Sequence, residues 1–198
     1  MEIKDLKRDI VFTEQLRGMD FKFHSTWGMF SPRAVDQGSR LLIEQLQVEP
    51  GDTCLDLGCG YGPIGLAMAR LANAGKVYMV DRDFVAVEYA GKNVKINRLT
   101  NCQVRLGNGF DGLTETKFNV VAANLPAKVG KEHLSILLTD AKRRLLSEGQ
   151  LYVVTVSGLR NFIKRMCEEV FGNYTKLKQG KHHTVAKAVK TLRHSNKT

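Results

Sequence analysis

Apolar and polar residues alternate along the chain in blocks that predict strands and helices in turn. Short apolar runs with many β-branched residues predict strands, and longer runs with apolar residues three or four positions apart predict helices. The predicted core strands are residues 53–55, 76–81, 103–106, 118–124 and 150–156. The predicted helices are residues 64–71, 84–96, 131–146 and 159–170. This alternation predicts an α/β protein with a mostly parallel sheet.

The first 30 residues do not follow that alternation. Residues 10–12 and 21–23 predict two short strands, so residues 1–30 are interpreted as a short N-terminal β extension. Ser31 followed by Pro32 predicts the start of a helix, because serine caps helices well and proline is tolerated in the first turn. A loop that contains aromatic residues and glycine therefore joins the extension to the first predicted helix.

The C-terminal end is also distinct. Residues 174–178 and 184–189, separated by Gly180, predict an antiparallel hairpin at the edge of the sheet. No change of composition divides the chain, so residues 1–198 are predicted to form a single domain. Residues 191–198 are expected to be a loose tail.

A glycine-rich segment lies between the first predicted core strand and the helix that follows it. Residues 56–65 read Asp-Leu-Gly-Cys-Gly-Tyr-Gly-Pro-Ile-Gly and include the G-x-G-x-x-G pattern of dinucleotide-binding turns. Pro63 lacks the N–H that a diphosphate would use, and Asp56 brings negative charge close to the turn. These two residues favour S-adenosylmethionine, which carries an ammonium and a sulfonium and has no phosphate. Dinucleotide binding remains the alternative.

Two further positions are candidates for cofactor contacts. Asp81 ends the strand after the glycines, about 20 residues on, where an acid can accept both ribose hydroxyls; the alternative is an ordinary helix N-cap. Asn108 and Gly109 follow the next strand, where an adenine can be bound; the alternative is a simple Asn-Gly turn.

The motifs resemble those of a known enzyme family. Residues 56–62 (DLGCGYG) resemble the first motif of class I S-adenosylmethionine-dependent methyltransferases. Residues 28–31 (GMFS) and 36–39 (DQGS) resemble the small methyltransferase domain, which includes ribosomal RNA guanine-N2 methyltransferases and free-standing archaeal single domains. The resemblance extends over residues 21–190. It implies a Rossmann-like fold, with a seven-stranded, mostly parallel sheet and an antiparallel last strand.

The resemblance implies that S-adenosylmethionine is the cofactor and that the glycines line its methionine part. Asp81 would hold the ribose. Asn108 would face the adenine amine where many relatives have an acid, and an amide oxygen accepts that hydrogen bond less strongly. The implied cofactor-binding residues are Asp56, Gly58, Cys59, Gly60, Gly62, Asp81, Arg82, Asn108, Gly109 and Asn124.

Residues 124–127 (Asn-Leu-Pro-Ala) resemble the Asn-Pro-Pro-aromatic motif of enzymes that methylate exocyclic amines of nucleobases. The resemblance implies catalytic roles for Asn124, Leu125 and Pro126. The Asn124 side-chain carbonyl and the Leu125 backbone carbonyl would accept the two amine hydrogens and direct the nitrogen lone pair toward the methyl group. No strong base is needed, because proton loss can follow methyl transfer.

Ala127 departs from the motif, since it replaces the aromatic residue on which a flipped-out base would stack. Such stacking contributes about 1–3 kcal/mol per base. Trp27 and Phe30 are the candidates for a substitute, and core packing is the alternative role for Trp27.

The charge of the chain indicates a polyanionic partner. Lysine and arginine number 30 against 20 acidic residues, a net charge of +10, and the sequence pI is about 9.6. Nucleic acid is the partner that this charge predicts, although a basic surface can also be merely solvated. The family resemblance implies that the nucleic acid is ribosomal RNA. Lysines in the predicted C-terminal hairpin, together with one after the catalytic motif, are the expected contacts: Lys131, Lys176, Lys178 and Lys181.

The four cysteines form no C-x-x-C pair and no cluster with histidine, which argues against a metal site and favours free thiols in a reducing compartment. No signal peptide or membrane span is recognised, so a soluble cytoplasmic protein is expected. The leading interpretation is an RNA base-amine methyltransferase. The alternatives are a non-catalytic cofactor- and RNA-binding domain or platform subunit, then a protein glutamine methyltransferase, and last a dinucleotide-dependent redox enzyme.

Overall fold

The computed structural model describes residues 9–113, 116–126 and 129–191, which form nine strands and five α-helices. The strands are β1 (Ile10–Leu16), β2 (Met19–Ser25), β3 (Thr53–Leu57), β4 (Lys76–Asp81), β5 (Cys102–Leu106), β6 (Phe118–Asn124), β7 (Leu145–Val156), β8 (Thr175–Gln179) and β9 (His183–Val189). The helices are α1 (Gln37–Gln45), α2 (Pro63–Leu71), α3 (Phe84–Ile96), α4 (Lys131–Arg144) and α5 (Arg160–Phe171). No helix in this described part is long and apolar enough to cross a membrane.

Seven strands form one sheet in the order β5-β4-β3-β6-β7-β9-β8, and β1 pairs with β2 in a separate hairpin. All pairings from β5 to β7 are parallel, whereas β9 runs antiparallel to both of its neighbours. The predicted fold, a seven-stranded mostly parallel sheet with an antiparallel last strand and an N-terminal β extension, is confirmed. The predicted antiparallel hairpin at the edge of the sheet is also confirmed, because β9 and β8 end the strand order, with β8 as the edge strand and β9 between β8 and β7.

The order of the strands determines where a ligand can bind. From β3 the chain passes to β4 and then β5 on one side, and it returns to place β6 on the other side of β3. At such a switch point the connections leave in opposite directions, so a crevice opens beyond the carboxyl ends of the strands. Asp81 and Asn124 end the strands on either side of β3, and the glycine turn follows β3 itself.

The sheet separates two apolar layers. One packs β1, β2, α1, α2 and α3 against the sheet, and the other packs α4 and α5 against the opposite face. Neighbouring residues of β6 contribute to both layers, Val120 and Ala122 to the first and Val121 and Ala123 to the second. This burial on both sides explains why the core strands are continuous apolar runs with no polar alternation.

The hairpin of β1 and β2 is longer than the predicted pair of short strands, and two amides of α3 hold it in place. Asn93 accepts from the His24 N–H at 2.7 Å and donates to the His24 carbonyl at 2.8 Å. Asn97 makes the same pair of bonds with Lys22, at 3.0 and 2.7 Å. Four helical residues rise about 6 Å, close to the spacing of alternate residues in a strand, so the two amides match the backbone of β2.

The predicted helix start at Ser31 is wrong. Ser31 has a φ of 49°, which is left-handed, and α1 begins only at Gln37. Asp36 is the N-cap, since its Oδ1 accepts from the backbone N–H groups of Gly38 at 2.9 Å and Ser39 at 3.1 Å. An aspartate that accepts two of the free N–H groups of the first turn is a stronger cap than Ser31, which does not contact the helix start.

Candidate active site

The glycine turn is anchored to the end of β4. Gly58 donates to the Val80 carbonyl at 2.8 Å, and Gly60 donates to Asp81 Oδ2 at 2.8 Å. Gly60 has a φ of 56°, and a Cβ built on it would meet no atom within 4 Å. The turn therefore needs glycine for its conformation and presents bare backbone to open space in the crevice.

Asp56 lies beneath the turn, and its carboxylate binds a backbone N–H at the start of α2. Its side chain is fully buried, and Oδ2 accepts from the Gly65 N–H at 2.7 Å. A Cβ on Gly65 would lie 2.6 Å from Met79 Cγ, so only glycine lets α2 approach the sheet closely enough for this bond. Because Pro63 has no N–H and Asp56 takes that of Gly65, the helix start offers little to a diphosphate. The geometry thus argues against the dinucleotide alternative.

The charge of Asp56 suits a cationic ligand. Burial raises the pKa of its carboxyl to about 7, the Gly65 N–H opposes this, and the charge of Asp81 raises it further. Oδ1 is buried and accepts no hydrogen bond from the described residues. A buried acceptor without a donor, beside a second acid, is stabilised by positive charge. The residues of the turn therefore fit S-adenosylmethionine, which brings an ammonium and a sulfonium.

Asp81 is placed to accept ribose hydroxyls. It already accepts from Gly60 at Oδ2 and from the Asp83 N–H at Oδ1, 3.0 Å, which fixes its carboxylate and leaves lone pairs free. The alternative role as a helix N-cap is wrong, because Asp83 caps α3 by accepting from the Val85 N–H at 2.9 Å. Arg82 lies between these two acids and is exposed.

Two exposed apolar side chains that the sequence analysis missed lie close to Asp81 along the sheet. Leu106 is the strand partner of Asp81 and is 58% exposed, and Phe84 opens α3 and is 66% exposed. Asn108 is also exposed, and its carbonyl accepts from the Asp111 N–H at 3.2 Å, which closes a turn around Gly109. Exposed apolar groups next to polar ones suit a purine ring. For Phe84, the available signal was a large apolar residue directly after Asp83, at the start of a predicted helix.

Two further residues of the glycine turn, Cys59 and Gly62, have packing roles. Cys59 was expected near the cofactor, but its side chain is buried in the core, and its N–H already donates to the Val80 carbonyl at 3.0 Å. Gly62 caps α2, and a Cβ there would lie 2.5 Å from Met79 Cε. These two residues pack the turn against the sheet.

Asn124 ends β6 beside the glycine turn, and residues distant in the chain hold its amide. Its Nδ2 donates to Asp36 Oδ1 and Oδ2 at 3.3 and 3.4 Å, and to Ser39 Oγ at 3.0 Å. The Leu125 side chain is buried, so only its backbone can face a substrate, and Pro126 is exposed. Ala127 lies outside the described residues. The sequence analysis did not assign Asp36 or Ser39 to the site, since only the fold brings them to Asn124.

The loop between β2 and α1 carries the two predicted stacking residues. Phe30 is 73% exposed and Trp27 is 37% exposed, so the alternative of core packing for Trp27 is wrong. The Arg33 guanidinium lies 4.6 Å from the Trp27 ring. The hydroxyl of Tyr61, a residue of the glycine turn, lies within hydrogen-bonding distance of the Ser31 and Ala34 carbonyls, at 3.2 and 3.1 Å. The loop is thus tied directly to the glycine turn.

The predicted lysine contacts do not share one surface. A bulge in β8 pairs Lys176 with Ala186 but Lys178 with Val185. Because neighbouring residues of β9 face opposite sides of the sheet, Lys176 and Lys178 lie on opposite faces. These two expected contacts therefore do not form one continuous surface for RNA.

The other two lysines lie toward the carboxyl edge of the sheet. Lys181 is exposed in the turn after β8, which closes against β7 through a bond from the Ser157 N–H to the His182 carbonyl at 2.9 Å. Lys131 opens α4 directly after the catalytic segment, and its Nζ lies 5.7 Å from the Phe162 ring. Lys181 and Lys131 therefore lie on the same edge as Asn124.

A glycine turn over a buried acid, a second acid at the end of β4 and an amide at the end of β6 define a Rossmann-like methyltransferase site. Residues 20–187 match the family described as the methyltransferase small domain, and the chain belongs to this family of class I S-adenosylmethionine-dependent methyltransferases. The cofactor is S-adenosylmethionine.

The chain is also similar to individual known proteins. The chain is 34% identical over 182 residues to the uncharacterized protein YbxB of Bacillus subtilis, covering 89% of each. It is similar to the T. thermophilus guanine-N2 methyltransferase of 16S rRNA (RsmC), solved with AdoMet and guanosine, at 30% identity and a TM-score of 0.82. That match covers 91% of this chain but only half of RsmC. M. jannaschii TYW2, solved with AdoMet, shares the fold at 17% identity and a TM-score of 0.66, over 92% of this chain and 86% of that one.

Proposed function

We propose that the protein methylates an exocyclic base amine in structured RNA, namely guanine N2 of ribosomal RNA. The observation that carries the proposal is the Asn124 amide, held at the end of β6 directly beside the strand that bears the glycine turn. The similarity to RsmC supports guanine as the base. The net charge of +10 supports a polyanionic substrate.

The reaction needs positioning more than it needs a base. S-adenosylmethionine supplies an electrophilic methyl group on a positively charged sulfur. Asn124 Oδ1 and the Leu125 carbonyl accept the two amine hydrogens, so the nitrogen lone pair points along the line of attack. With the cofactor bound, the nitrogen–carbon bond would form as the carbon–sulfur bond breaks, and the electron pair of the broken bond would stay on sulfur. The amine nitrogen then releases a proton to water.

Cofactor contacts are assigned to the glycine turn and to the ends of β4 and β5. Asp56, Gly58, Gly60 and Gly62 would lie under the methionine part, and Asp81 would hold the ribose. Phe84 and Leu106, which are exposed near the end of β5, would pack against the adenine. Arg82, Asn108 and Gly109 complete that end of the site.

Ribosomal RNA from a strain that lacks the gene tests the substrate. Methyl transfer from labelled S-adenosylmethionine, followed by mass spectrometry of the digested RNA, should yield N2-methylguanosine. A methylated adenosine or cytidine would refute guanine N2. Cofactor binding without transfer to RNA would favour the non-catalytic alternative, and label on a protein glutamine would favour the protein substrate.

Trp27 and Phe30 are assigned to stacking on the extruded base. Trp27→Ala or Phe30→Ala should weaken RNA binding by about 10-fold, the effect of losing one stacked ring. Ile136→Ala removes another exposed apolar side chain, 60% exposed on α4, and is the matched control. Unchanged RNA affinity and transfer rate in both variants would refute the stacking role.

The exposed lysines are assigned to phosphate contacts. The RNA affinity should fall steeply with salt, and the double variant Lys178→Ala, Lys181→Ala should flatten the logarithmic slope by about 1.5. Lys176→Ala, on the other face of the sheet, should change the slope less. An unchanged slope in the double variant would show that this edge does not meet RNA.

The cysteines support the expected cytoplasmic location. All four are free thiols, and Cys54, Cys59 and Cys167 are buried. Free thiols persist in a reducing compartment.

A further inference from the structure

Asp36 faces the amide of Asn124 with both carboxylate oxygens. The two distances from Asn124 Nδ2 are 3.3 and 3.4 Å, and Ser39 Oγ is a third acceptor at 3.0 Å. Asp36 lies 88 positions earlier in the chain and has a second role as the N-cap of α1. Capping by itself requires only the two bonds to Gly38 and Ser39.

A carboxylate fixes which end of the Asn124 amide can face the substrate. An ionised carboxylate accepts hydrogen bonds and cannot donate them, so the NH₂ end of the amide must turn toward Asp36. The carbonyl end is then directed away from Asp36. An asparagine without such a neighbour could rotate and present its NH₂ group, which would repel an amine substrate.

The same carboxylate also changes the strength of the acceptor. A hydrogen bond from an amide N–H to a charged group is stronger than one to a neutral group, and it polarises the amide so that its oxygen becomes more negative. The amine nitrogen gains positive charge as the methyl group arrives. A more negative Oδ1 therefore stabilises the transition state more than it stabilises the bound substrate.

We propose that Asp36 is a positioning residue that orients and polarises the Asn124 amide for attack by the base amine. The inference rests on the proposed amine methylation and deepens it. Asp36 acts through Asn124, so its loss should lower kcat while leaving the KM for S-adenosylmethionine unchanged. Ser39 provides the second, neutral acceptor in the same arrangement.

Two substitutions separate this role from helix capping. Asparagine and serine cap helices about as well as aspartate, so Asp36→Asn and Asp36→Ser should leave the thermal midpoint nearly unchanged. Asp36→Asn removes the charge and should lower kcat about 10-fold. Asp36→Ser also shortens the side chain, which withdraws the acceptor from Asn124 Nδ2, and should lower kcat about 100-fold. Asp52→Asn is the control, since it removes one charge at the amino end of β3, where Asp52 Oδ2 accepts from the Glu49 N–H.

A spectroscopic measurement checks the contact without turnover. In a ¹⁵N–¹H spectrum of the free protein, the Asn124 side-chain protons should shift in Asp36→Asn and stay in place in Asp52→Asn. Ser39→Ala removes the neutral acceptor of the Asn124 amide and should lower kcat about threefold. This variant tests the orientation of the amide even if the Asp36 variants do not fold.

The outcomes separate the two proposals. A wild-type protein that transfers no methyl group to RNA refutes the proposed function. An active wild type with unchanged kcat in both Asp36 variants refutes the role of Asp36 alone. A change confined to the KM for RNA also overturns it, because orientation of the amide acts on the chemical step.

Discussion

The site has two halves that are built in different ways. In the cofactor half the defining bonds connect residues close in the chain, with Asp56 and Gly65 nine positions apart and Gly60 and Asp81 21 apart. In the amine half the defining bonds connect Asn124 to Asp36 and Ser39, 88 and 85 positions away. One strand–turn–helix unit and the next strand suffice for the first half. The amine half requires that α1 packs against the sheet, because Asp36 and Ser39 lie at the start of α1 and Asn124 lies at the end of β6.

The two halves also differ in their electrostatics. The cofactor half leaves one buried carboxylate oxygen, Asp56 Oδ1, without a donor among the described residues and so favours an incoming cation. The amine half pairs its charge internally, because Asp36 is used to orient Asn124. The first half therefore binds through charge, whereas the second acts through orientation. Substitutions in the cofactor half should therefore change the affinity for S-adenosylmethionine, and substitutions in the amine half should change the rate of methyl transfer.

The largest effect is expected in the amine half. Asn124→Ala removes the acceptor for the amine and should lower kcat by about 1,000-fold, the upper range for loss of one transition-state hydrogen bond. Cofactor affinity, measured by calorimetry, should change far less. Asn124→Asp keeps an oxygen but sets a second carboxylate against Asp36, so it should be no more active. Equal losses of affinity and rate would show that the halves are not separable.

The pH dependence of stability should follow Asp56. An unfolded aspartic acid has a pKa of about 3.9, and burial raises that of Asp56 to about 7. Between these values the native state holds a proton that the unfolded state has lost, so this contribution to stability falls as pH rises from 4 to 7 and is constant above. The loss is on the order of 4 kcal/mol.

Urea denaturation of the wild type and of Asp56→Asn from pH 4 to 8 measures this contribution. The asparagine oxygen can still accept from Gly65, and the other carboxylates cancel in the difference. The variant should gain stability relative to the wild type as pH rises. A difference that does not vary with pH would contradict the raised pKa.

Asp81 tests the cofactor half directly. Asp81→Ala removes the acceptor for the ribose hydroxyls and the anchor for Gly60, so the Kd for S-adenosylmethionine should rise about 100-fold. The rate at saturating cofactor should change much less. Glu88→Gln, an exposed position on α3, is the control for loss of one charge. An unchanged Kd would remove Asp81 from the cofactor site.

The smallest effect is expected where the β1–β2 hairpin docks on α3. Asn93→Ala leaves backbone groups of His24 and Tyr61 without a partner and should lower the free energy of unfolding by about 2 kcal/mol. Lys95→Ala, exposed on the same helix, should change it by less than about 0.5 kcal/mol. Equal values for the two variants would mean that the hairpin docks without these amides.

Much of the fold could be predicted from the sequence, because hydrophobic pattern and secondary structure agree over short segments. The bounds of β4, β6 and α3 match the predicted ranges, since each is a continuous apolar or amphipathic run. The start of α1 was mispredicted because Ser31-Pro32 and Asp36 are both plausible start signals. Only the contacts of the loop with Tyr61 and of Asp36 with Asn124 separate them. The bulge in β8 that divides Lys176 from Lys178 left no mark in the sequence.

The sequence by itself determined the cofactor half: four glycines around Asp56 and Pro63, then Asp81, disfavour a diphosphate and favour a sulfonium donor. These residues act through the conformation of the neighbouring backbone. The order of residues in a short segment of the sequence is therefore enough to identify this half of the site. The tertiary structure decided the amine half. A side-chain amide has two ends that the sequence cannot distinguish, and its orientation depends on which group lies opposite. That group is Asp36, and only the packing of α1 on the sheet brings it to Asn124.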